Sequence, residues 1–501
     1  MQALPLAGAG AVLLVKSLRD GQAQRRRLES LMDEYRQLFN TPTDRLLALR
    51  DALVQQLEAG LAGQPGGLMA LPSYVDVLPS GRERGDCYAI DLGGTNLRVA
   101  HVKLGEQRGA TEATHIREWE IPEEHFDTDR GSLLRFVAQC TAEVIREHSG
   151  AAGGGGPAGA KPVVGFCFSF PVDQTALDNG KVLVWTKNFR GSYLIGQDVV
   201  AALRSELAAA GVDAEVPAVM NDTVATLVAL RYSEPDTQLG IILGTGTNCA
   251  YLERAEAIGK LPAGYRGRTP AMVVNSEWGD FRSPLLPTCQ EDLWIDCSSP
   301  HPGNGLFEKQ ISGLYLGEVA RRILLRLAEK EGLFGGTLGL LSRHFVLTTA
   351  DMAACDQDDT PDLHAVAGVL ERVLEIRKTS LQQRRLVQEV CQLVCLRSAR
   401  LCAAAITGVL QRVGHPCGSC SAGGGGSGSG APAPPVAIAV DGSVFEKYAR
   451  FRERLRAALE DVCGKAAADS IRLQLAKDGS VLGAAYLGVA AAQFEGNGGT
   501  A

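Results

Sequence analysis

The chain has no excess of basic residues: 50 Lys and Arg stand against 57 Asp and Glu, giving a net charge of -7. That balance excludes a binder whose affinity comes from neutralising nucleic-acid phosphates, because such surfaces concentrate Lys and Arg; a local phosphate site remains allowed. A GxxxxGK[ST] loop is missing. So is an intact GxGxxG fingerprint, since Cys249 takes the last glycine place in the stretch that begins Gly244-Thr245-Gly246. The 13 cysteines are odd in number, run from Cys87 to Cys463 and lie mainly inside apolar segments, as in a reduced intracellular chain and not a disulfide framework. Pro416-Cys417-Gly418-Ser419-Cys420 matches half of a zinc deaminase signature, but none of the 8 His residues has Glu two positions later, so no zinc is expected.

The apolar run at residues 3–15 is shorter than the roughly 20 residues of a spanning helix. It also lacks the positive charge that precedes a secretory signal. Basic Lys16, Arg19 and Arg25 to Arg27 follow it. Residues 1–23 read as an N-terminal tail, either plain or acting as an anchor or targeting segment. Globular structure is expected from about Gln24, where Leu28, Leu31, Met32, Tyr35, Leu38 and Phe39 recur at helical spacing; Leu46, Leu49, Leu53 and Leu57 mark a second helix. Segments 149–161 and 415–435 are rich in Gly, Ser, Ala and Pro, and read as surface loops.

Elsewhere strands and helices alternate, which favours an α/β class with helices covering sheets. One pattern occurs twice. Residues 87–104 and 239–254 each read as an apolar strand, a glycine turn ending in Gly-Thr-Asn, and a second strand. Two such hairpins suggest related half-domains, each able to offer backbone N–H groups to an anion.

In the first hairpin Asp91 closes a strand, Gly93 and Gly94 allow close backbone approach, and Thr95 and Asn96 add a hydroxyl and an amide. This suits metal-bound phosphate or a structural hairpin equally. Asn221 and Asp222 follow a strand and open an apolar helix, where open α/β sheets bind ligands and where Asn or Asp also cap helices. Ser169 sits among aromatics, Thr186 and Lys187 follow a strand ending in Trp185, Asn248 ends the second glycine turn, Asn275 and Glu277 lie two apart at the end of an apolar run, and Glu308 opens a helix. Alone, the lysine reads as solvated and either glutamate as a cap or a solvated group. Together these are the groups a polyhydroxylated sugar requires, since carboxylates accept from vicinal hydroxyls while amides donate and accept.

Several ordered segments carry a resemblance: AIDLGGTNLRV, GFCFSFPVDQ through VWTKNF, NDTVATL, LGTGTNCAY, VNSEWGDF, FEKQISGLYLGEVAR, VDGSVFEKY and KDGSVLGAAYLGVA. From about residue 27 to 493 the chain resembles the eukaryotic hexokinases, most of all the plant and green-algal type. The resemblance implies an α/β, two-lobed actin-like ATPase (ribonuclease H-like) fold. It would have an N-terminal half at 27–228 with a small lobe near 73–221, and a C-terminal half at 236–493 forming the ATP-binding large lobe. The implied reaction is ATP-dependent phosphorylation of hexoses (glucose, fructose, mannose) at the 6-hydroxyl; the alternative is a silent sugar sensor.

Carried over residue by residue, Ser169, Phe170, Pro171, Thr186, Lys187, Asn221, Asp222, Asn248, Asn275, Glu277 and Glu308 become the sugar site, with Asp222 as base and Lys187 steadying the transferring charge. Asp91, Gly94, Thr95, Asn96, Arg98, Thr245, Gly442 and Ser443 become ATP contacts. Asp91 would hold Mg2+ through water. A monomer is expected, cytoplasmic or attached to a mitochondrial outer membrane or plastid by the N-terminal segment. Asn188 stands where the family has glycine and Ala449 where proline is common, so loop behaviour near Asn188 is the feature in question.

Overall fold

The structure is a computed structural model and describes residues 6–149, 161–185, 189–416 and 433–496. Thr186, Lys187 and Asn188, and most of the two glycine-rich segments, lie outside the described residues.

The first helix differs from the sequence expectation at its start. It runs unbroken over Leu6–Phe39, where a tail at 1–23 and a helix from Gln24 were expected. No proline interrupts this span, and its glycines, at about 1 kcal/mol each, do not end it. Its apolar stripe (Leu31, Met32, Tyr35, Phe39) is buried, and Arg27 to Glu331 and Arg36 to Glu389 pair it with neighbouring helices. Among the described residues one helix, Leu381–Arg412, has the length and apolarity to cross a bilayer; 89% of its apolar window is buried inside the protein, so it is a core helix.

In chain order the strands are β1 (Leu71–Pro72), β2 (Gly85–Leu92), β3 (Asn96–Leu104), β4 (Thr111–Glu120), β5 (Val163–Phe168), β6 (Val172–Asp173) and β7 (Lys181–Val182). They continue as β8 (Glu215–Met220), β9 (Thr237–Leu243), β10 (Thr247–Arg254), β11 (Ala271–Asn275), β12 (Val436–Asp441) and β13 (Ile471–Leu475). One large sheet has the order β4-β3-β2-β5-β8 and a second β1-β11-β10-β9-β12-β13, while β6 and β7 pair as a separate two-stranded ribbon. In each large sheet, an antiparallel glycine hairpin (β2 with β3, β9 with β10) carries an antiparallel neighbour on one side and two parallel strands on the other. The repeat in the sequence is thus a repeat of topology, and β1 is the addition to the second sheet.

Each of the two large sheets has its own apolar core, and a third cluster joins them through Ala89, Ala225 and Val481. The Asp222–Ser233 helix and the final Gly479–Gly496 helix pack closely along each other there, and the final helix also lies on β2 and β5. The approach is tight enough to require glycine: a Cβ on Gly483 would stand 1.8 Å from the Ala225 carbonyl oxygen, and one on Gly165 1.8 Å from that of Ala484. The last helix therefore sits on the first sheet although it ends the C-terminal half.

Candidate active site

The end of β8 delivers the most reactive-looking group. Asn221 caps the Asp222–Ser233 helix, its Oδ1 accepting from the Thr223 N–H at 3.0 Å and the Thr223 hydroxyl at 2.7 Å, while Asp222 Oδ1 accepts from the same N–H at 2.9 Å. Asp222 thus projects from a helix start, where anions are favoured. Facing it, the β10 and β11 ends form an amide–carboxylate cluster. Asn248 Nδ2 donates to Asn275 Oδ1 at 2.9 Å and Glu277 Oε1 at 3.2 Å, and Asn275 Nδ2 donates to Glu277 Oε1 at 2.7 Å. Glu277 has φ +55°, a left-handed backbone for a side chain bearing a Cβ. Burial pushes its carboxyl up to about 7; the Asn275 amide opposes that, and the negative charges of Asp222, Asp280 and Glu308 add to it. Glu308 Oε2 accepts from the Thr247 N–H at 3.0 Å. A small cavity lies beside these groups, lined among others by Leu71, Ser73, Phe170, Gln174, Asn221 and Asn275.

At the end of β2, Asp91 is held by three donors on one oxygen, Oδ2: Arg98 Nε at 3.0 Å, Arg98 Nη2 at 2.5 Å and the Ser480 hydroxyl at 2.8 Å. Arg98 reaches on to Asp478 at 3.1 Å and Ser480 at 2.6 Å. Asp441, ending β12, joins the group. Burial pushes it up to about 6, with the Gly442 N–H and Arg98 opposing and Asp91 and Asp478 reinforcing. Between the two centres lies Cys167, fully buried, its thiol pushed well up by burial and by the charges of Asp91 and Asp222. Gly442 (φ +111°) packs against the second hairpin, where a Cβ would come within 2.4 Å of the Leu243 carbonyl.

This arrangement puts one carboxylate at a helix start, next to the cavity-lining Asn221, and another beside a glycine hairpin. Hexokinase family models match residues 31–232 and 238–490. The chain belongs to the hexokinase family. It is 41% identical over 471 residues to Hexokinase-1 of Oryza sativa subsp. japonica, covering 93% of this chain and 91% of that protein. Hexokinase-1 of Arabidopsis thaliana is 38% identical over 486 residues, 96% of this chain and 94% of its own length. Among solved structures the Schistosoma mansoni hexokinase complexed with glucose matches with TM-score 0.78 and 29% identity, over 93% of this chain and 99% of that one. The chain is a plant-type hexokinase with the two-lobed actin-like fold, and it phosphorylates hexoses with ATP.

Of the residues expected at this hexokinase's sugar site, the structure brings Asn248, Asn275, Glu277 and Glu308 together; Ser169, buried after β5, donates its backbone N–H to Leu92. Phe170 is buried in an aromatic cluster with Phe168, Trp185 and Phe189, and the Pro171 carbonyl accepts from Leu183. Thr186 and Lys187 fall outside the described residues. On the phosphate side Asn96 donates its amide to Glu118 of β4, and the Thr95 carbonyl accepts from Ile121, so Gly94 is the turn residue left between Gly93 and these anchored neighbours. The Thr245 carbonyl accepts from Leu314, and Ser443 opens the short Ser443–Lys447 helix. Asp441, Asp478 and Ser480 were not expected. The signal for Asp441 was present, since it precedes a glycine turn just as Asp91 does, whereas the approach of Asp478 and Ser480 to Asp91 is a long-range contact that no local pattern carries.

Proposed function

We propose that Asp222 is the general base, taking the proton of the hexose 6-hydroxyl as its oxygen attacks the γ-phosphorus of ATP. The observation that supports this is the strand register: buried Cys167 pairs with Asp91 of the phosphate-type hairpin on one side and with Met220, two residues before Asp222, on the other. Asn221, Asn248, Asn275, Glu277 and Glu308, with Ser169, Phe170, Pro171 and Thr186, orient the remaining sugar hydroxyls. In-line positioning of this kind, with charge stabilisation, is most of what phosphoryl transfer asks of a protein. Lys187 offsets charge on the transferring group, and the backbone around Gly94, Thr95, Asn96, Thr245, Gly442 and Ser443 cradles the phosphates. Binding of sugar draws the lobes together and keeps water from replacing the 6-hydroxyl.

Magnesium fits the residues present: the oxygen donors of Asp91 and Asp441 suit a hard cation that keeps most of its waters and phosphate ligands. When bound it neutralises charge on the ATP phosphates. Asp91 would hold it through water, while Arg98 and Ser480 keep the carboxylate in place. Glucose, bound by the Schistosoma relative, is the favoured hexose, with fructose and mannose sharing the same 6-hydroxyl end. We place the enzyme in the cytoplasm as a monomer, with the apolar run at 3–15 and the basic residues after it supporting attachment to an organelle membrane. The test is a coupled assay of purified protein with MgATP and a hexose panel beside calorimetric sugar titration. Production of hexose 6-phosphate is expected; glucose binding without product would leave the sensor reading in its place.

A further inference from the structure

The two carboxylates of the sugar cluster hang from one internal hydrogen bond. Trp278 is fully buried, and its indole Nε1–H donates to the Thr247 hydroxyl at 3.0 Å. Each partner adjoins a sugar-site residue: Glu277 precedes Trp278 and Asn248 follows Thr247, and those two residues are themselves bonded at 3.2 Å. The same Thr247 donates its backbone N–H to Glu308 at 3.0 Å. Trp278 also sets its ring edge-on to Phe307, the residue before Glu308, with centroids 6.1 Å apart. Its own backbone N–H is fixed by Ser276 Oγ at 3.2 Å, and that hydroxyl donates to the Cys249 carbonyl at 2.6 Å. A left-handed Glu277 is strained and persists only where its surroundings over-determine it.

We infer that Trp278 is a positioning residue for hexose binding, holding Glu277, Asn248 and Glu308 in register through the Thr247 hydroxyl. The inference rests on the sugar-site reading above and adds to it a residue that touches no substrate. Its bond joins two neutral buried groups, so breaking it from either side should loosen the same three ligands.

The experiment compares Trp278→Phe, which keeps most of the ring and loses the N–H, with Thr247→Val, the double variant and Thr247→Ser, by calorimetry with glucose and by steady-state kinetics. Either single variant should raise the glucose Kd and KM about tenfold, with kcat within about threefold and the ATP KM within about twofold. The double variant should be no worse than the weaker single one, because both break one bond. Thr247→Ser, which keeps the acceptor, should bind within about threefold of the unmodified enzyme. If Trp278→Phe does not fold, Thr247→Val with its serine control carries the comparison. Unchanged glucose affinity in a folded single variant, or glucose and ATP KM rising together with a lower melting temperature, overturns the positioning role. Unmodified enzyme that fails to bind glucose overturns the sugar-site reading beneath it.

Discussion

Glu277 combines a left-handed backbone with a carboxyl pushed up to about 7, first by burial and then by the negative charges of Asp222, Asp280 and Glu308, against the hydrogen bond from Asn275. The sugar-facing role proposed for it needs the ionised form, which accepts hydrogen bonds from hydroxyls. Lowering the pH from 8 to 6 should therefore raise the hexose KM several-fold, and Glu277→Gln should bind hexose weakly at both pH values. The stability effect has the opposite direction. The folded protein holds this proton up to about 7, whereas an ordinary glutamate releases it near 4.5, so the group's contribution to stability falls as pH rises through that window. Thermal melts at pH 8 should show Glu277→Gln melting higher than the unmodified enzyme; a variant that melts lower there would mean the carboxylate is structurally required.

The elements that carry the site are strand ends and helix starts, and the tightest contact between them is glycine-dependent. Gly483 meets the Asp222–Ser233 helix at Ala225, where an added Cβ would stand 1.8 Å from a carbonyl oxygen that cannot swing aside. Overpacking of this kind typically costs about 1–3 kcal/mol. Gly483→Ala should lower the melting temperature and reduce kcat as the helix bearing Asp222 shifts; an unchanged kcat with full stability would show that the two helices separate at no cost. Both glycine hairpins were legible in the sequence, because Gly-Thr-Asn after an apolar strand is a local signal. Asn221 and Asp222 were legible for the same reason. The unbroken first helix was not, since an apolar run followed by basic residues reads as tail and helix alike until its backbone is seen. Nor was the crossing of the last helix onto the first sheet, which depends on Gly165 and Gly483 meeting partners hundreds of residues away.

At the scale of the whole molecule, two sheets of one topology carry the candidate site, and in the sequence the long glycine-rich insert joins the Leu381–Arg412 helix to β12. The ends of the insert are already pinned: His415 Nε2 lies 2.9 Å from the Pro434 carbonyl oxygen. Loop length changes closure entropy only logarithmically, so replacing residues 418–431 by a few glycines should leave kcat/KM within about threefold. A loss of folding or of ATP affinity in that variant would show that the insert docks on the body.

The most direct measurement pairs a coupled kinase assay with calorimetric glucose titration on Asp222→Ala. A general base contributes typically 10² to 10⁴-fold, so turnover should fall at least about a hundredfold while glucose affinity, still supported by Asn221, Asn248, Glu277 and Glu308, stays within about tenfold. Near-normal turnover in that variant, or a loss of glucose binding as large as the loss of turnover, would contradict the assignment of Asp222 as the base.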